Sequence, residues 1–585
     1  MLFKVNAVPF SFPRGCMSGH SRRLAARFFA GVWPLGMTVA CTSLVMSLWT
    51  AHKFGASLAC FHDEFSYLLQ AETFLRGRLC FVSHPTIPDL FDQLHVLNEG
   101  KFASRYFPGT AAWIGPFVAI GRPHWAQWLA GMLIAVATFA AGREWCGNLC
   151  GFVAGLVIAL SPGMAIFSNL LLSNHPTTLG LAVFVFAFIR TMNAESFRWA
   201  LLGGTGLAFA ILCRPLTAAA VAAPFMVVFA LRGLPGNSAL GRTSMQGAAR
   251  GPPRSGSGTA QPLSDGRGWI EVRSGADRPA HGRAWVRMAV CATLPIVSAV
   301  AIVLLYNHEI AGNAWKSLWQ LYNEIYTPRH VYGFNNGMRG EAGQGPKVIR
   351  EYDRWAKNLT VDLALENSAL RLTQSWRWTL GAIPLTMAAV VVLLCPGPRR
   401  MGWLLLASIA SLHAAYFPYW YAGTLGFHYV FETMPLWALV FGLATAQLFR
   451  TWHKEGQYLL CPWWASVAVV GLAAMFLPVN GNESAIDAEI AQMVGRRAGH
   501  ARFLKLVAEQ VRLKPALVLI DQGFVESFIV NSAGLDSPII FGRYRPAIHS
   551  VAEIADAFPE RSIYLFDASA WQVEQVDVSR RKAEK

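Results

Sequence analysis

Long apolar runs separated by short polar turns set the pattern of this chain. Residues 29–51, 285–306, 376–395, 401–419, 429–449 and 458–478 contain almost no charge. Each is close to the ~20 residues that carry a helix across about 30 Å of hydrocarbon. Backbone groups find no water in lipid, so these runs predict helices. Residues 109–232 form a denser apolar block. It is broken only at Gly121-Arg122-Pro123, Gly142-Arg143-Glu144, Ser173-Asn174-His175-Pro176, 190–198 and Arg214-Pro215. The piece 110–121 is shorter than a span and reads as a re-entrant or half-length helix, which is tolerated where protein covers it. The whole pattern predicts an all-α polytopic membrane bundle of about 11–13 spans.

Between the apolar runs lie stretches of different character. Residues 52–108 and 307–375 are polar, long and mixed in charge. Residues 233–284 are rich in Gly, Pro, Ser and Arg and lack periodicity, a composition that cannot bury a core and predicts a disordered linker. The last segment, 480–585, starts with a helical pattern over 487–512. Strand-like runs follow at 516–520, 538–541 and 562–566. Helix followed by short apolar strands predicts a small C-terminal α/β domain.

Composition agrees with a lipid-solvated chain. Of 585 residues, 54% are hydrophobic and only 14% charged, against about 25% charged in ordinary soluble domains. The formal net charge of +16 would suit a nucleic-acid partner. That class is excluded because the excess sits in short turns and in the linker, where the positive-inside bias accounts for it. Arg14, Arg22, Arg23 and Arg27 place the tail 1–28 in the cytoplasm. Parity then puts 52–108, 307–375 and the C-terminal domain outside, and the linker 233–284 inside. The segment 29–51 is too long for a signal-peptide core and reads as a retained span. The resulting division is a module 29–232 with its outer loop 52–108, the linker, a module 285–479 with its loop 307–375, and the domain 480–585. Ten cysteines form no disulfide or zinc framework. Cys60 and Cys80 flank the first outer loop and could pair in an oxidising compartment, although two unpaired packing cysteines are the favoured reading. No metal cluster stands out; a divalent cation is compatible with the pattern but not implied.

The candidate chemistry begins at His62-Asp63-Glu64, just past the first span. Adjacent carboxylates beside a membrane are costly and usually functional. They are also what a helix start needs, with Asp as a cap and Glu in the first turn. On pattern alone the two readings weigh alike. Tyr67, Ala71 and Phe74 follow at helical spacing. His84 and His95 lie in the same loop and read mainly as structural. Arg105 reads equally as a snorkelling residue or as an anion ligand. Arg214 sits between two apolar segments, where an arginine is expensive, so function is favoured. His428 and Glu432 share one helix face at i,i+4.

The order of these features resembles the GT-C glycosyltransferases, most nearly the protein O-mannosyltransferase and aminoarabinose transferase group. Asp63-Glu64, Tyr67, Ala71 and Gly77-Arg78-Leu79 resemble their first outer loop. His84-Pro85 and His95-Val96 fall where bacterial members carry a His-Pro segment and a later His. Ser104-Arg105-Tyr106-Phe107-Pro108-Gly109 looks like their basic-Tyr-Pro-Pro-Gly segment, with Phe107 replacing a Pro. Gly142-Arg143, Ser161-Pro162 and Arg214-Pro215 continue it. Leu321-Tyr322-Asn323, Thr327-Pro328-Arg329-His330 and Tyr332-Gly333-Phe334 are similar to a later outer loop. Phe427-His428-Tyr429, Glu432 and Pro435 resemble a span start where Arg is usual at the position of His428. The likeness runs over about residues 30–450.

The resemblance implies a GT-C bundle in a bacterial inner membrane. It implies transfer of a sugar from a polyprenyl-phosphate donor to a lipid, glycan or protein hydroxyl at the outer face. A hydroxyl that attacks an anomeric carbon must lose its proton, and a carboxylate is the natural base; Asp63 is the candidate, with Glu64 beside it. Charge building on the departing phosphate calls for arginine. Arg105 is the first candidate and Arg214 the second, with His428 a third donor-phosphate contact. Tyr67, His84, His95 and Glu432 are candidates to touch the acceptor or shape the loop. The rival classes are a transporter or flippase, which would show internal repeats, and an O-antigen ligase or polymerase, whose acidic motif would come late in the chain.

Overall fold

The structure, a computed structural model, describes residues 31–55, 59–233, 261–262, 269–270, 278–340, 347–395, 399–478, 483–521 and 531–577. The tail 1–28 and most of the linker 233–284 lie outside the described residues. The chain is mostly helical. Among the described residues, six helices are long and apolar enough to cross a membrane: Val32–Phe54, His124–Cys146, Asn174–Ala194, Pro215–Gly233, Gly282–Ala311 and His428–Glu455. Four shorter apolar helices accompany them: Asn148–Leu160, Phe197–Cys213, Met401–Ala415 and Leu460–Phe476.

The run 376–395 does not form one straight span. Helix Val361–Thr379 stops at Leu380-Gly381, and helix Ala382–Leu394 leaves at 99° to it. Gly381 holds φ +104, a conformation that favours glycine. The linker is also shorter than its composition predicts, because the helix that follows begins at Arg278. The short piece predicted at 110–121 is the 12-residue helix Pro108–Ala119.

Small residues let the helices touch. A Cβ on Gly204 would lie 2.2 Å from the Ala292 carbonyl oxygen, and one on Gly180 would lie 2.5 Å from that of Gly206. Association within lipid lacks a hydrophobic drive, so such close backbone approach supplies packing instead.

The first loop opens with helix His62–Leu75. It continues into an antiparallel sheet of β1 (Phe81–Val82), β2 (Val96–Asn98) and β3 (Lys101–Ser104), ordered β1-β3-β2. The C-terminal domain packs helix Ala485–Gln510 against a second sheet. Its strands are β4 (Ala516–Asp521), β5 (Ile539–Tyr544), β6 (Ser562–Asp567) and β7 (Gln572–Gln575), ordered β5-β4-β6-β7. The first three are parallel and β7 is antiparallel to β6. Parallel strands read as near-continuous apolar runs because both faces are covered. Val518, Ile520 and Phe566 meet Phe503 and Val507 of the helix. Leu517, Leu519 and Ile540 meet Leu90, Phe91 and Val96 of the first loop. The domain is therefore built into the loop that carries Asp63.

Charges rim this joint. Arg76 pairs with Asp536 at 2.5 Å, Arg545 with Asp89 at 2.6 Å, and His549 Nε2 lies 2.8 Å from Asp89. Asp92 is buried among them. Asn98 Nδ2 donates to it at 2.9 Å and Arg545 is 4.0 Å away. Burial lifts its carboxyl to about 7, against the pull of Asn98 and Arg545. A carboxyl raised on folding holds its proton more tightly in the native state, so the native state loses stability as pH climbs from about 4 to about 7. The whole span is worth at most about 4 kcal/mol. Asp92→Asn is expected to flatten this dependence and raise the unfolding temperature at pH 8 more than at pH 5. Equal shifts at both values would show that Asp92 does not titrate in this window.

Candidate functional site

Asp63 lies in the first turn of helix His62–Leu75, and its side chain is 34% exposed while Glu64, Phe65 and Tyr67 are buried. Tyr106, two residues past β3, donates its phenol to Asp63 Oδ1. Tyr67, one turn along the same helix, stacks on the Tyr106 ring at 4.5 Å. His95 Nδ1 is 3.0 Å from the Tyr106 oxygen and 3.6 Å from Asp63 Oδ2. Its Nε2 meets the Tyr352 hydroxyl at 3.2 Å.

His95 adopts φ +66, unusual for a residue with a Cβ. Three bonds hold it there. Its N–H donates to Tyr322 Oη at 3.0 Å, and its carbonyl accepts from Ser66 Oγ at 2.7 Å and from the Arg105 N–H at 3.1 Å. Burial, then the Arg105 charge, holds the imidazole well below its ordinary value, so it is neutral.

Arg105, just past β3, is only 8% exposed. One Nη donates to Tyr106 Oη at 3.3 Å. The guanidinium lies 4.9 Å from the Tyr322 ring centre and 5.2 Å from that of Tyr106. Its Nε and other Nη have no hydrogen-bond partner among the described residues. A buried cation with two spare donors is built to receive an anion.

A second cluster faces the first. Arg214, between helices Phe197–Cys213 and Pro215–Gly233, pairs with Glu432 at 2.8 Å and donates to Tyr416 Oη at 3.2 Å. Glu432 Oε2 has no partner among the described residues. The His428 ring stacks on Tyr429 at 4.2 Å, and its carbonyl accepts from Asn174 at 2.8 Å. Asp63 and Arg214 both act electrostatically on Tyr67, which ties the two clusters together.

Two sequence candidates lie elsewhere. Glu64 is fully buried and accepts three backbone N–H groups: Cys60 at 2.6 Å, Phe61 at 3.0 Å and Leu171 at 2.8 Å. Burial pushes its carboxyl upward against these donors. Oε1 holds the helix start and Oε2 ties it to the bundle, so Glu64 latches the helix in place. His84 packs against Phe558 of the C-terminal domain at 4.9 Å, and its Nδ1 accepts from the Ile87 N–H at 3.3 Å. It belongs to the domain joint. Cys60 and Cys80 are both free thiols. Among the described residues no group of three or more His, Cys, Asp or Glu side chains could hold a metal ion.

Several site residues escape sequence reading. Tyr106 stands inside the motif that carries Arg105, yet only folding brings it to Asp63. Arg371, fully buried, donates to the carbonyls of Tyr416 (2.6 Å), Tyr419 (2.9 Å), Tyr421 (2.6 Å) and Ala422 (3.3 Å). It fixes the aromatic loop that floors the second cluster. The density of Tyr and Trp over 416–421 was the available signal.

No family model matches the chain, and no curated protein matches it. Among solved structures it is similar to ArnT from Cupriavidus metallidurans bound to undecaprenyl phosphate. The identity is 12% and the TM-score 0.47, over 90% of this chain and 93% of that one. It is also similar to the oligosaccharyltransferase AglB from Archaeoglobus fulgidus in complex with an inhibitory peptide and a dolichol-phosphate. There the identity is 11% and the TM-score 0.42, over 88% of this chain and 65% of that one. Both proteins are GT-C glycosyltransferases.

Proposed function

We propose that this chain is a GT-C membrane glycosyltransferase. It moves a sugar from a polyprenyl-phosphate donor to a hydroxyl of a lipid, glycan or protein at the outer face. The observation that carries the reading is the link from Asp63 through Tyr106 to Arg105. A partly open carboxylate and a buried arginine with two spare donors stand on either side of one phenol. In this reading the acceptor hydroxyl gives its proton to Asp63. Its oxygen attacks the anomeric carbon, and the bond from that carbon to the phosphate oxygen breaks with inversion. The electron pair leaves with the polyprenyl phosphate, whose charge Arg105 meets. Electrostatic stabilisation of developing charge is commonly the largest catalytic contribution. Tyr106 holds the base in place, and His95, neutral and pinned, holds Tyr106.

Arg214 takes a lesser part than Arg105, because Glu432 already balances its charge. The pair shapes the wall formed by Tyr416 and Tyr429, and Glu432 Oε2 is free to accept a sugar or acceptor hydroxyl. Residues 29–232 form the catalytic module, 285–479 close it, and 480–585 brace the first loop.

Arg105→Ala is expected to weaken binding of undecaprenyl phosphate by roughly 1.5–3 kcal/mol, about ten- to a hundredfold. Titration of the purified chain in nanodiscs measures it. Unchanged affinity would remove Arg105 from the donor site.

A further inference from the structure

A cationic cavity of about 140 Å³ lies between the end of helix Val32–Phe54 and the start of helix His124–Cys146. It shares no lining residue with the Asp63 or Arg214 clusters. Arg122, His124, Trp125, Trp128, Asn169 and Arg497 supply its side chains, and none of the lining residues is acidic.

Three features show what it would hold. His124 is 7% exposed, and its Nε2 has no hydrogen-bond partner among the described residues. A buried polar atom left unmatched costs about 1–3 kcal/mol, which a ligand would recover. Arg497, also buried, is held in place while facing the same space. Its Nε donates to Cys60 Sγ at 2.6 Å, and its guanidinium lies 5.0 Å from the Phe54 ring centre. Arg122 stands exposed at the mouth and adds a second positive charge.

Two helices end at the mouth, and two carbonyls of each last turn accept a capping N–H. The Gly55 N–H donates to Ala51 and His52, that of Gly121 to Val118 and that of Arg122 to Phe117. The first residues of the next helix, His124 and Trp125, line the cavity. Trp125, 47% exposed at the same rim, is the residue type that settles where lipid meets water. A liquid water occupies about 30 Å³, so the space matches roughly four or five waters. That admits a phosphate headgroup and excludes an acyl chain, which would lie outside along the bundle.

We propose that this cavity is a second anion site, separate from the reaction centre, that takes the phosphate headgroup of a membrane amphiphile. It does not rest on the transferase reading, because its evidence is the cavity alone.

The test is binding to the full chain in non-ionic detergent, followed by thermal unfolding and native mass measurement. Dihexanoyl phosphatidic acid is the probe, with dihexanoyl glycerol and inorganic phosphate as comparisons. The phosphatidic acid is expected to bind saturably and raise the unfolding temperature. Arg122→Gln and Trp125→Ala, both at exposed positions, are each expected to weaken it by about tenfold. Arg105→Ala is expected to leave it unchanged. Equal binding of dihexanoyl glycerol would overturn the phosphate assignment, and equal binding of inorganic phosphate would overturn the amphiphile. Loss of binding in Arg105→Ala would place the lipid in the reaction centre and overturn a separate site. Wild-type affinity in both Arg122→Gln and Trp125→Ala would overturn it as well.

Discussion

Asp63→Asn is expected to lower formation of the chain-dependent glycan product by about 10²–10⁴-fold, the usual contribution of a positioned general base. The substitution keeps the size of the side chain and an oxygen that can accept from Tyr106. The fold should therefore persist, with an unfolding temperature near that of the native chain. What is lost is the ability to accept the acceptor's proton. Tyr106→Phe is expected to cost less, because it removes only the bond that aims the carboxylate. His95 contributes no titration of its own near pH 6–7, since burial keeps it neutral. The measurement is mass analysis of envelope lipids, glycans and proteins from cells carrying the native chain, the variant or neither. Product at the native level with Asp63→Asn would sink the base assignment.

Arg214→Met is expected to destabilise the chain by about 3–5 kcal/mol, because it leaves Glu432 as a buried, unbalanced carboxylate. Glu432 is fully buried and 2.8 Å from Arg214, so little solvent is at hand to compensate. The double variant Arg214→Met/Glu432→Leu should recover most of that loss, since apolar replacement of a buried ion pair is often neutral. It should not recover activity, because the tyrosine wall loses the cation that Tyr416 meets. Thermal unfolding in detergent reads the first effect and product formation the second. A double variant no more stable than Arg214→Met would show that the two charges are not coupled.

The first loop shows how far residue pattern reaches. Adjacent carboxylates after a span pointed to Asp63 as the candidate base with Glu64 beside it. Folding separates them. Residue 64 points back into the bundle, where the Leu171 N–H waits 107 positions away, while residue 63 faces Tyr106. A hydrogen bond between distant segments leaves no periodic trace in either. Arg105 ranked ahead of Arg214 as a phosphate contact, but the sequence set the partners of neither. One keeps two spare donors, and the other is neutralised by a carboxylate 218 residues later.

The bundle was more legible than the site. Apolar length and basic turns mark helices because lipid penalises every unpaired backbone group, a local rule that acts at each residue. That rule does not see bends. The break at Leu380-Gly381 leaves the apolar run intact and depends on a backbone conformation that glycine permits. The strands of the C-terminal domain were likewise visible as runs at 516–520, 538–541 and 562–566, because burial on both faces leaves them wholly apolar. Their partners were not. Leu517 and Leu519 could have met any apolar surface, and only the fold brings them to Leu90 and Phe91 of the first loop.

By itself, then, the sequence determined a lipid-embedded helical bundle, a small C-terminal α/β domain and the segments in which charge is costly enough to need a purpose. These follow from hydration and hydrogen bonding, which each residue meets locally. The tertiary structure alone decided which carboxylate is open, which arginine is unsatisfied and which loop the C-terminal domain braces. Those depend on side chains from distant segments meeting at one point, as Asp63, Tyr106 and Arg105 do.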